Sequence, residues 1–585
     1  MYSKTRFEQV FWRYILLVFL SIVTVGALAG CSLAGMGDAQ NAPTSPLPPT
    51  PGQSNSTGSA KEYASTQAIE GDMEMLYWDD TDSYLIVDPF NTEEYKAIDE
   101  GGFVNTATRP LSTFSADVDT ASYCNLRRMI RDGYFADEIP EGAVRIEEML
   151  NYFTYDYALP EGSDLFGTTV QVADCPWNKD AKLLVMGFTT TPEVREEGKG
   201  SNLVFLIDVS GSMDSRDKLD LLQDAFSVLV DQLGKNDRVS IVTYASGEDV
   251  VLEGASGAEK NKIMRAINRL RADGSTNGEA GLKMAYELAQ DNFIEGGVNR
   301  IILASDGDLN VGMTDESSLE AYVAKQRETG VYLSVLGFGS GNYKDNKMET
   351  LADNGNGQYH YIDCIEEAER VLGEKLTANL VPLANDVKLQ VEFNPAQVKA
   401  YRLIGYENRA VADEDFRNDK KDAGDVGPGH QFTVAYEIAL VGSEQVIGAT
   451  NLKYGEGPGA ASKGSSGEAG DNNGDVVTSG NANGNGASDI SSEWLTCSMR
   501  YMPVGEAAAQ EQSFVVDASA QTDKPSNDWK FAAAVIEAGM VLRNSEYANG
   551  ADLDDVLALL DPHDRDNLRA EFYDLIKDSR EFIMD

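Results

Sequence analysis

An aspartate and two serines follow an apolar run near the middle of this chain. Asp208, Ser210 and Ser212 are spaced two apart, directly after the apolar residues 203–207. A carboxylate and two hydroxyls on one short turn offer oxygen ligands, which suit a hard cation such as Mg²⁺. The pattern therefore predicts a metal site. The alternative is a serine- and glycine-rich turn that binds no metal.

Two more oxygen donors lie where the chain turns again. Asp306 follows the apolar run 301–304, and Thr276 lies in the loop 273–277, ahead of a helical pattern. In a parallel sheet, neighbouring strands end at one edge, and ligands bind there. We therefore expect one shared site, formed by Asp208, Ser210, Ser212, Thr276 and Asp306.

The elements that must position these residues alternate between strand and helix patterns. Short apolar runs indicate buried strands, and apolar residues spaced three and four apart indicate helices. Their alternation predicts a doubly wound, mostly parallel sheet. The expected strands are 203–207, 239–244, 300–304, 331–338 and 358–362. The expected helices are 219–233, 259–270, 278–289 and 319–328.

Sequence with a period of two flanks this α/β region on both sides. Residues 168–173, 183–188, 387–393 and 432–438 alternate apolar and polar positions, as half-buried antiparallel strands do. We expect a β-sandwich built from segments before and after the α/β core. Apolar residues at helical spacing predict a helical C-terminal segment.

The five oxygen donors, in this order, resemble the metal-ion-dependent adhesion site of von Willebrand factor A domains. The resemblance implies a Rossmann-like fold in which Ser210 and Ser212 bind Mg²⁺ directly. It implies that Thr276 binds directly or through water, and that Asp208 and Asp306 bind mostly through water. Mn²⁺ and Ca²⁺ are alternative ions. An open coordination position would then take a carboxylate from a protein ligand.

Two longer segments resemble a family of bacterial extracytoplasmic lipoproteins built around a von Willebrand factor A domain. They are LSTFSADVDTASY at 111–123 and AYRLIGYENR at 400–409. The resemblance implies flanking modules without an assigned activity. The expected divisions are an N-terminal associated module at 91–198, the A domain at 199–380, a β-rich domain at 381–522 and a helical segment at 523–585.

The first 30 residues have the features of a signal peptide. Lys4, Arg6 and Arg13 precede the apolar stretch 14–29, and Leu-Ala-Gly then precedes Cys31. This ending resembles the bacterial lipobox, which implies a lipidated, palmitate-bearing Cys31. We expect anchoring to the cell membrane or outer membrane, with the chain outside the cytoplasm. The alternative is an uncleaved transmembrane helix.

Two stretches have compositions that cannot bury a core. Residues 31–90 predict a disordered tether after the anchor, and the Gly-, Asn- and Ser-rich residues 455–492 predict a disordered insertion. Outside the cytoplasm, the other cysteines would form disulfides in one of three connectivities or stay as buried thiols. These are Cys124, Cys175, Cys364 and Cys497.

Charge and motif content restrict the function. A net charge of −47 opposes binding to nucleic acid, which needs clustered basic residues. The sequence has no H-E-x-x-H, G-x-S-x-G or P-loop motif, so we expect no enzyme. The favoured function is binding of a protein ligand through Mg²⁺. The alternative is a scaffold or accessory subunit of an envelope complex with a structural metal, and a metal-dependent hydrolase ranks third.

A pair of aspartates presents a weaker pattern. Asp117 and Asp119 immediately precede a predicted helix, where carboxylates commonly cap the first turn. We therefore expect a helix cap, with a second cation site as the alternative.

Overall fold

The computed structural model describes residues 91–192, 200–307, 316–447, 492–506 and 508–583. The described residues belong to one compact unit, Ser83–Asp585. The predicted signal peptide, Cys31, the tether and all but the last residue of the predicted insertion lie outside the described residues.

The described chain contains strands that we number in order. They are β1 Val104–Asn105, β2 Leu111–Ser115, β3 Phe166–Asp174, β4 Lys182–Thr190, β5 Ser201–Asp208, β6 Arg238–Tyr244, β7 Glu248–Ser256, β8 Val298–Ser305, β9 Tyr332–Phe338, β10 Tyr359–Ile362, β11 Ala384–Phe393, β12 Val398–Ile404, β13 Gly424–Val426, β14 Gln431–Leu440, β15 Glu493–Pro503 and β16 Gln510–Asp517.

The α-helices of the described chain are numbered in the same way. They are α1 Ala121–Arg131, α2 Ile146–Tyr152, α3 Leu221–Gln232, α4 Lys260–Ile267, α5 Gly278–Asp291, α6 Glu316–Arg327, α7 Asp345–Asn354, α8 Ile365–Glu369, α9 Leu376–Leu380, α10 Asn527–Leu542, α11 Leu553–Leu559 and α12 Asn567–Ile583.

The central sheet has the strand order β10-β9-β8-β5-β6-β7 and is parallel except for β7. Strand β5 is buried along its whole length, as expected for a strand covered by helices on both faces. Phe205 shares a core with α3 residues, and Leu206 shares a second core with α5 residues. The predicted doubly wound, mostly parallel sheet is confirmed.

The sequence patterns did not predict the edge strand β7. Its residues Glu248, Asp249 and Glu253 are exposed, and only two of its nine positions are buried. An edge strand without an apolar run gives no clear strand pattern, so its pairing with β6 becomes visible only in the folded sheet.

Two further sheets face each other around a common apolar core. One has the order β1-β12-β14-β4-β3, and the other has the order β13-β11-β15-β16 with β2 paired to β11. Phe393 stacks on Tyr401 across the sheets, with ring centroids 4.2 Å apart. Strands from before and after the central sheet therefore build one sandwich, as the sequence predicted.

Helices from both ends of the described chain join the core on one face of the central sheet. Phe153, Phe531 and Phe572 make edge-on ring contacts, with centroid distances of 4.8 to 5.7 Å. Helix α10 packs on α2 so closely that a Cβ at Gly539 would lie 2.7 Å from Ile146 Cγ1. No helix in the described ranges has both the length and the apolar content to span a bilayer.

The four cysteines of the described chain are free thiols. Cys124, Cys175 and Cys497 are buried, and Cys364 is half-buried. Burial raises the pKa of the Cys497 thiol well above its usual range. Of the two alternatives for these residues, the structure has thiols rather than disulfides.

Candidate metal centre

Asp208 and Asp306 lie at the carboxyl edge of the central sheet. Asp208 ends β5, and Asp306 directly follows β8, its parallel neighbour. Strand β5 has β8 on one side and β6 on the other, which makes this edge a topological switch point. Both side chains are fully buried. Two carboxylates from distant parts of the sequence thus come to one edge of the sheet.

Hydrogen bonds fix the orientation of the Asp208 carboxylate. Its Oδ1 accepts from the backbone N–H of Ser210 at 2.9 Å, and its Oδ2 accepts from Ser305 Oγ at 2.9 Å. Burial raises the pKa of Asp208 to about 6, against the opposing effect of the Ser210 bond, and the charge of Asp306 adds to the rise. A bound cation would favour the ionised form of this carboxyl.

The two serine hydroxyls are placed as neighbouring ligands of one small ion would be. Ser210 Oγ and Ser212 Oγ lie 3.0 Å apart. In an octahedron with Mg–O distances of about 2.1 Å, adjacent oxygens are about 3 Å apart. Ser210 is buried and Ser212 is half-buried, so the pair lies on the solvent-facing side of the candidate centre.

Backbone hydrogen bonds hold the loop that carries Thr276 beside this turn. Asp273 N–H donates to Val209 O at 2.8 Å, and Gly211 N–H donates to Gly274 O at 3.0 Å. Gly274 has φ +85°, and a Cβ there would lie 2.4 Å from Ser246 Oγ, so the loop requires glycine. Thr276 itself is half-buried. The three segments that carry the five predicted residues therefore meet at this edge.

The sequence patterns did not indicate Lys218. Its ammonium donates to Asp306 Oδ2 at 3.1 Å, Ser212 O at 3.0 Å and Asn342 Oδ1 at 2.5 Å. Asn342 Nδ2 also donates to Asp306 Oδ2, at 3.0 Å. Lys218 is only 6% exposed. Its place immediately before a helical apolar pattern is the one sequence signal that could have revealed it.

The donor set fits a divalent cation, and Lys218 compensates only part of the charge. Its ion pair is with Asp306. Within the described residues, Asp208 accepts hydrogen bonds but has no ion pair. Neutral hydroxyls, one unpaired carboxylate and one paired carboxylate are all oxygen donors suited to Mg²⁺.

A second group of ligand-type side chains is already neutralised. Cys124, Asp363 and Glu367 have donor atoms within 4.8 Å of one another. Arg127 donates to Asp363 Oδ1 at 2.5 Å, and Arg370 also pairs with Glu367. Despite opposing desolvation, the two arginines lower the pKa of Glu367 to about 2. We interpret this group as a buried ion-pair cluster rather than a metal site.

Asp117 and Asp119 bind an arginine instead of capping a helix. Arg409 donates to Asp117 Oδ2 at 3.0 Å and to Asp119 Oδ2 at 3.3 Å. Thr120 is the N-cap of α1, and its side chain makes no capping hydrogen bond. The capping prediction was wrong, because Arg409 and the Tyr359 N–H engage the carboxylates. The segments 111–123 and 400–409 therefore meet in space.

Three family models match successive parts of the chain. They are described as von Willebrand factor at residues 89–185, von Willebrand factor type A domain at residues 202–371, and the C-terminal part of uncharacterized protein YfbK at residues 378–582. Von Willebrand factor type A domains are in general interaction or adhesion modules and typically lack enzymatic activity.

The matches to individual proteins differ in extent. The chain is 40% identical over 498 residues to uncharacterized protein YfbK of Escherichia coli strain K12, covering 83% of this chain and 81% of that protein. It is 31% identical over 161 residues to human inter-alpha-trypsin inhibitor heavy chain H4, covering 26% of this chain and 16% of that protein. A solved von Willebrand factor type A structure from Catenulispora acidiphila matches 73% of this chain and 91% of its own, at 15% identity and a TM-score of 0.39.

Proposed function

The chain belongs to the YfbK family of von Willebrand factor type A domain proteins, and we propose that it captures a protein ligand through a divalent cation. Ser210 and Ser212 would hold the ion, with Asp208, Thr276 and Asp306 around it. Mg²⁺ is the favoured ion, with Mn²⁺ and Ca²⁺ as alternatives. When bound, the ion would offer an open coordination position and positive charge to a ligand carboxylate.

One observation carries this proposal. Asp208 is fully buried, its carboxylate is oriented by Ser210 and Ser305, and it stands beside two hydroxyls that are 3.0 Å apart. Isolated buried carboxylates are costly unless they are protonated or paired with a cation. A small divalent ion would satisfy the carboxylate and both hydroxyls together.

The same proposal places the protein at a membrane surface. A lipid on Cys31 would anchor the mature chain to the cell membrane or outer membrane, outside the cytoplasm, with residues 31–90 as the tether. The acidic composition opposes electrostatic attachment to anionic lipids, so the anchor would supply the membrane affinity.

Capture from native envelope extracts tests the function. The immobilised mature protein should retain a partner in Mg²⁺, release it in EDTA and regain it when Mg²⁺ is restored. Asp208→Ala should not retain that partner, whereas Asp214→Ala, an exposed carboxylate of the same turn, should retain it. A partner that remains in EDTA would instead support the scaffold alternative with a structural metal.

A further inference from the structure

A cavity with basic walls opens at the same edge of the sheet as the candidate metal centre. Its volume is about 550 Å³. Val209, between the centre's Asp208 and Ser210, lines it, and so does Thr243 near the end of β6. The walls also contain four basic residues, Lys262, Arg265, Arg269 and Arg271. We call this space the basic cavity.

The charge of the basic cavity is opposite to that of the chain as a whole. The chain has 95 acidic and 48 basic residues, but residues 258–273 contain five basic and two acidic ones. Among the residues that line the cavity in the described structure, Asp249 alone is acidic. The cavity is therefore a local positive region on an acidic molecule, a pattern that attracts and orients anionic partners.

Within the described structure, the one ion pair of these four basic side chains is that of Lys262 with Glu259. Arg265 Nε donates to Asn261 O at 2.9 Å, and Arg271 donates to backbone carbonyls of Asn268 and Leu270. Lys262 lies 3.8 Å from Glu259, and both side chains are about half exposed, which makes the pair weak. The remaining donors of the guanidinium groups are suited to carboxylate oxygens.

We propose that the basic cavity binds an acidic peptide segment of the protein ligand. One carboxylate of the segment would bind the cation beside Ser210, and neighbouring Asp or Glu side chains would enter the cavity. Val209 lines the cavity and lies in sequence between Asp208 and Ser210 of the candidate centre, so the two sites are adjacent and a single extended segment can contact both. The inference rests on the proposed function and specifies the chemistry of the ligand.

Fluorescently labelled octaglutamate is the probe, with octaglutamine as the uncharged comparison. Each peptide is titrated with the compact unit Ser83–Asp585 in Mg²⁺ at low salt. The double variant Arg265→Glu/Arg269→Glu should bind octaglutamate at least about tenfold more weakly. Lys325→Glu/Lys420→Glu changes the charge equally at exposed positions outside the cavity wall and should bind within about twofold of the unaltered protein.

Mn²⁺ titration of the same proteins separates this inference from the proposed function. The Arg265→Glu/Arg269→Glu protein should keep its Mn²⁺ affinity while it loses the peptide. Unchanged peptide binding, equal weakening in the control variant, or equally tight octaglutamine binding would overturn the basic-cavity inference. Full displacement by inorganic phosphate at peptide-equivalent concentrations would also overturn it, because the cavity would then hold any small anion. If none of the proteins takes up Mn²⁺, the proposed cation site is refuted. The peptide titrations would still test the basic cavity.

Discussion

At the scale of single residues, two carboxylates and one ammonium are the charged groups that the described residues bring to the candidate metal centre. Lys218 pairs with Asp306, whereas Asp208 has hydrogen bonds but no ion pair within the described structure. Among the described residues, Lys218 is thus the one cation at the candidate centre, and the Asp208 carboxylate could pair with a bound ion. Lys218 should lower the affinity for that ion by charge repulsion.

Lys218→Met tests this balance. Removal of the ammonium relieves its repulsion with the incoming ion, so Mn²⁺ affinity should rise by at least about tenfold. Isothermal titration with Mn²⁺ measures the change. Lys325→Met removes an exposed lysine on α6 and should leave the affinity unaltered. Weaker binding in Lys218→Met would mean that the lysine supports Asp306 rather than opposing the ion.

The sequence predicted this site in part. Ser210 and Ser212 share a short turn with Asp208, so spacing alone indicates them. The contact between Lys218 and Asp306 spans 88 residues and depends on β5 and β8 being neighbours. Long-range contacts of this kind are fixed by strand order, which local patterns do not specify.

At the scale of elements, Arg409 joins three parts of the chain. It pairs with Asp117 and Asp119 ahead of α1 and with Asp353 on α7. Apart from Asp353, these side chains are at most 10% exposed. Removing one member of such a buried pair leaves the other charges buried without a partner. The loss of unfolding free energy is then far larger than for a surface pair.

Arg409→Ala should therefore reduce the free energy of unfolding by about 3–5 kcal/mol. Arg417→Ala is the matched control, because Arg417 pairs with Glu511 but its side chain is 69% exposed. The control should lose less than about 1 kcal/mol. Urea unfolding measures both. Similar losses in the two variants would show that Arg409 contributes no more than a surface ion pair.

Glu147 on α2 makes the stability depend on pH. The side chain is almost fully buried, and neither carboxyl oxygen has a hydrogen-bond partner within the described chain. Burial, followed by the charge of Glu407, raises the pKa of Glu147 to about 8. The folded protein thus holds a proton that the unfolded chain releases, and its stability falls as the pH rises from the ordinary glutamate value to about 8.

Glu147→Gln should remove this pH dependence. The difference in unfolding free energy between the variant and the unaltered protein should increase by more than about 1 kcal/mol as the pH rises from about 5 to about 8. Urea unfolding across the pH range measures the difference. Glu141→Gln, at an exposed position just before α2, should show no such gain. A constant difference for Glu147→Gln would mean that Glu147 is ionised in the folded protein.

Element types were more predictable than element partners. Period-two patterns predicted strands within β4 and β14, and helical spacing predicted α3 and α5. The pairing of β2 with β11 joins Phe114 to Leu389 across 275 positions and had no local signal. The sequence patterns also did not predict α7, although its Asp345 and Glu349 form ion pairs with the buried Arg145.

At the scale of the whole molecule, the central sheet is inserted into a sandwich that precedes and follows it in sequence. Strand β4 pairs with β3 and with β14, and β2 pairs with β11, so the strands β1–β4 share their sheets with the strands β11–β16. The candidate metal centre and the basic cavity both lie at the carboxyl edge of the inserted sheet.

The proposed lipid attachment also concerns the whole molecule, and it rests on Cys31. Cys31→Ala should abolish labelling with palmitate and release the protein from membranes or block its processing. Cys364→Ala, which removes a half-buried thiol of the folded unit, should be labelled normally. Labelling that persists in Cys31→Ala would contradict the lipoprotein hypothesis.

Calorimetric titration of the compact unit with Mg²⁺ and Mn²⁺ tests the central claim most directly. The unaltered protein and Asp214→Ala should bind one ion at millimolar concentration or below. Asp208→Ala should lose that binding, at a stability cost of only about 1–2 kcal/mol, because the change lies at a strand end rather than within the apolar core. A folded unaltered protein that takes up neither ion at millimolar concentration, or an Asp208→Ala protein that binds equally well, would contradict the account.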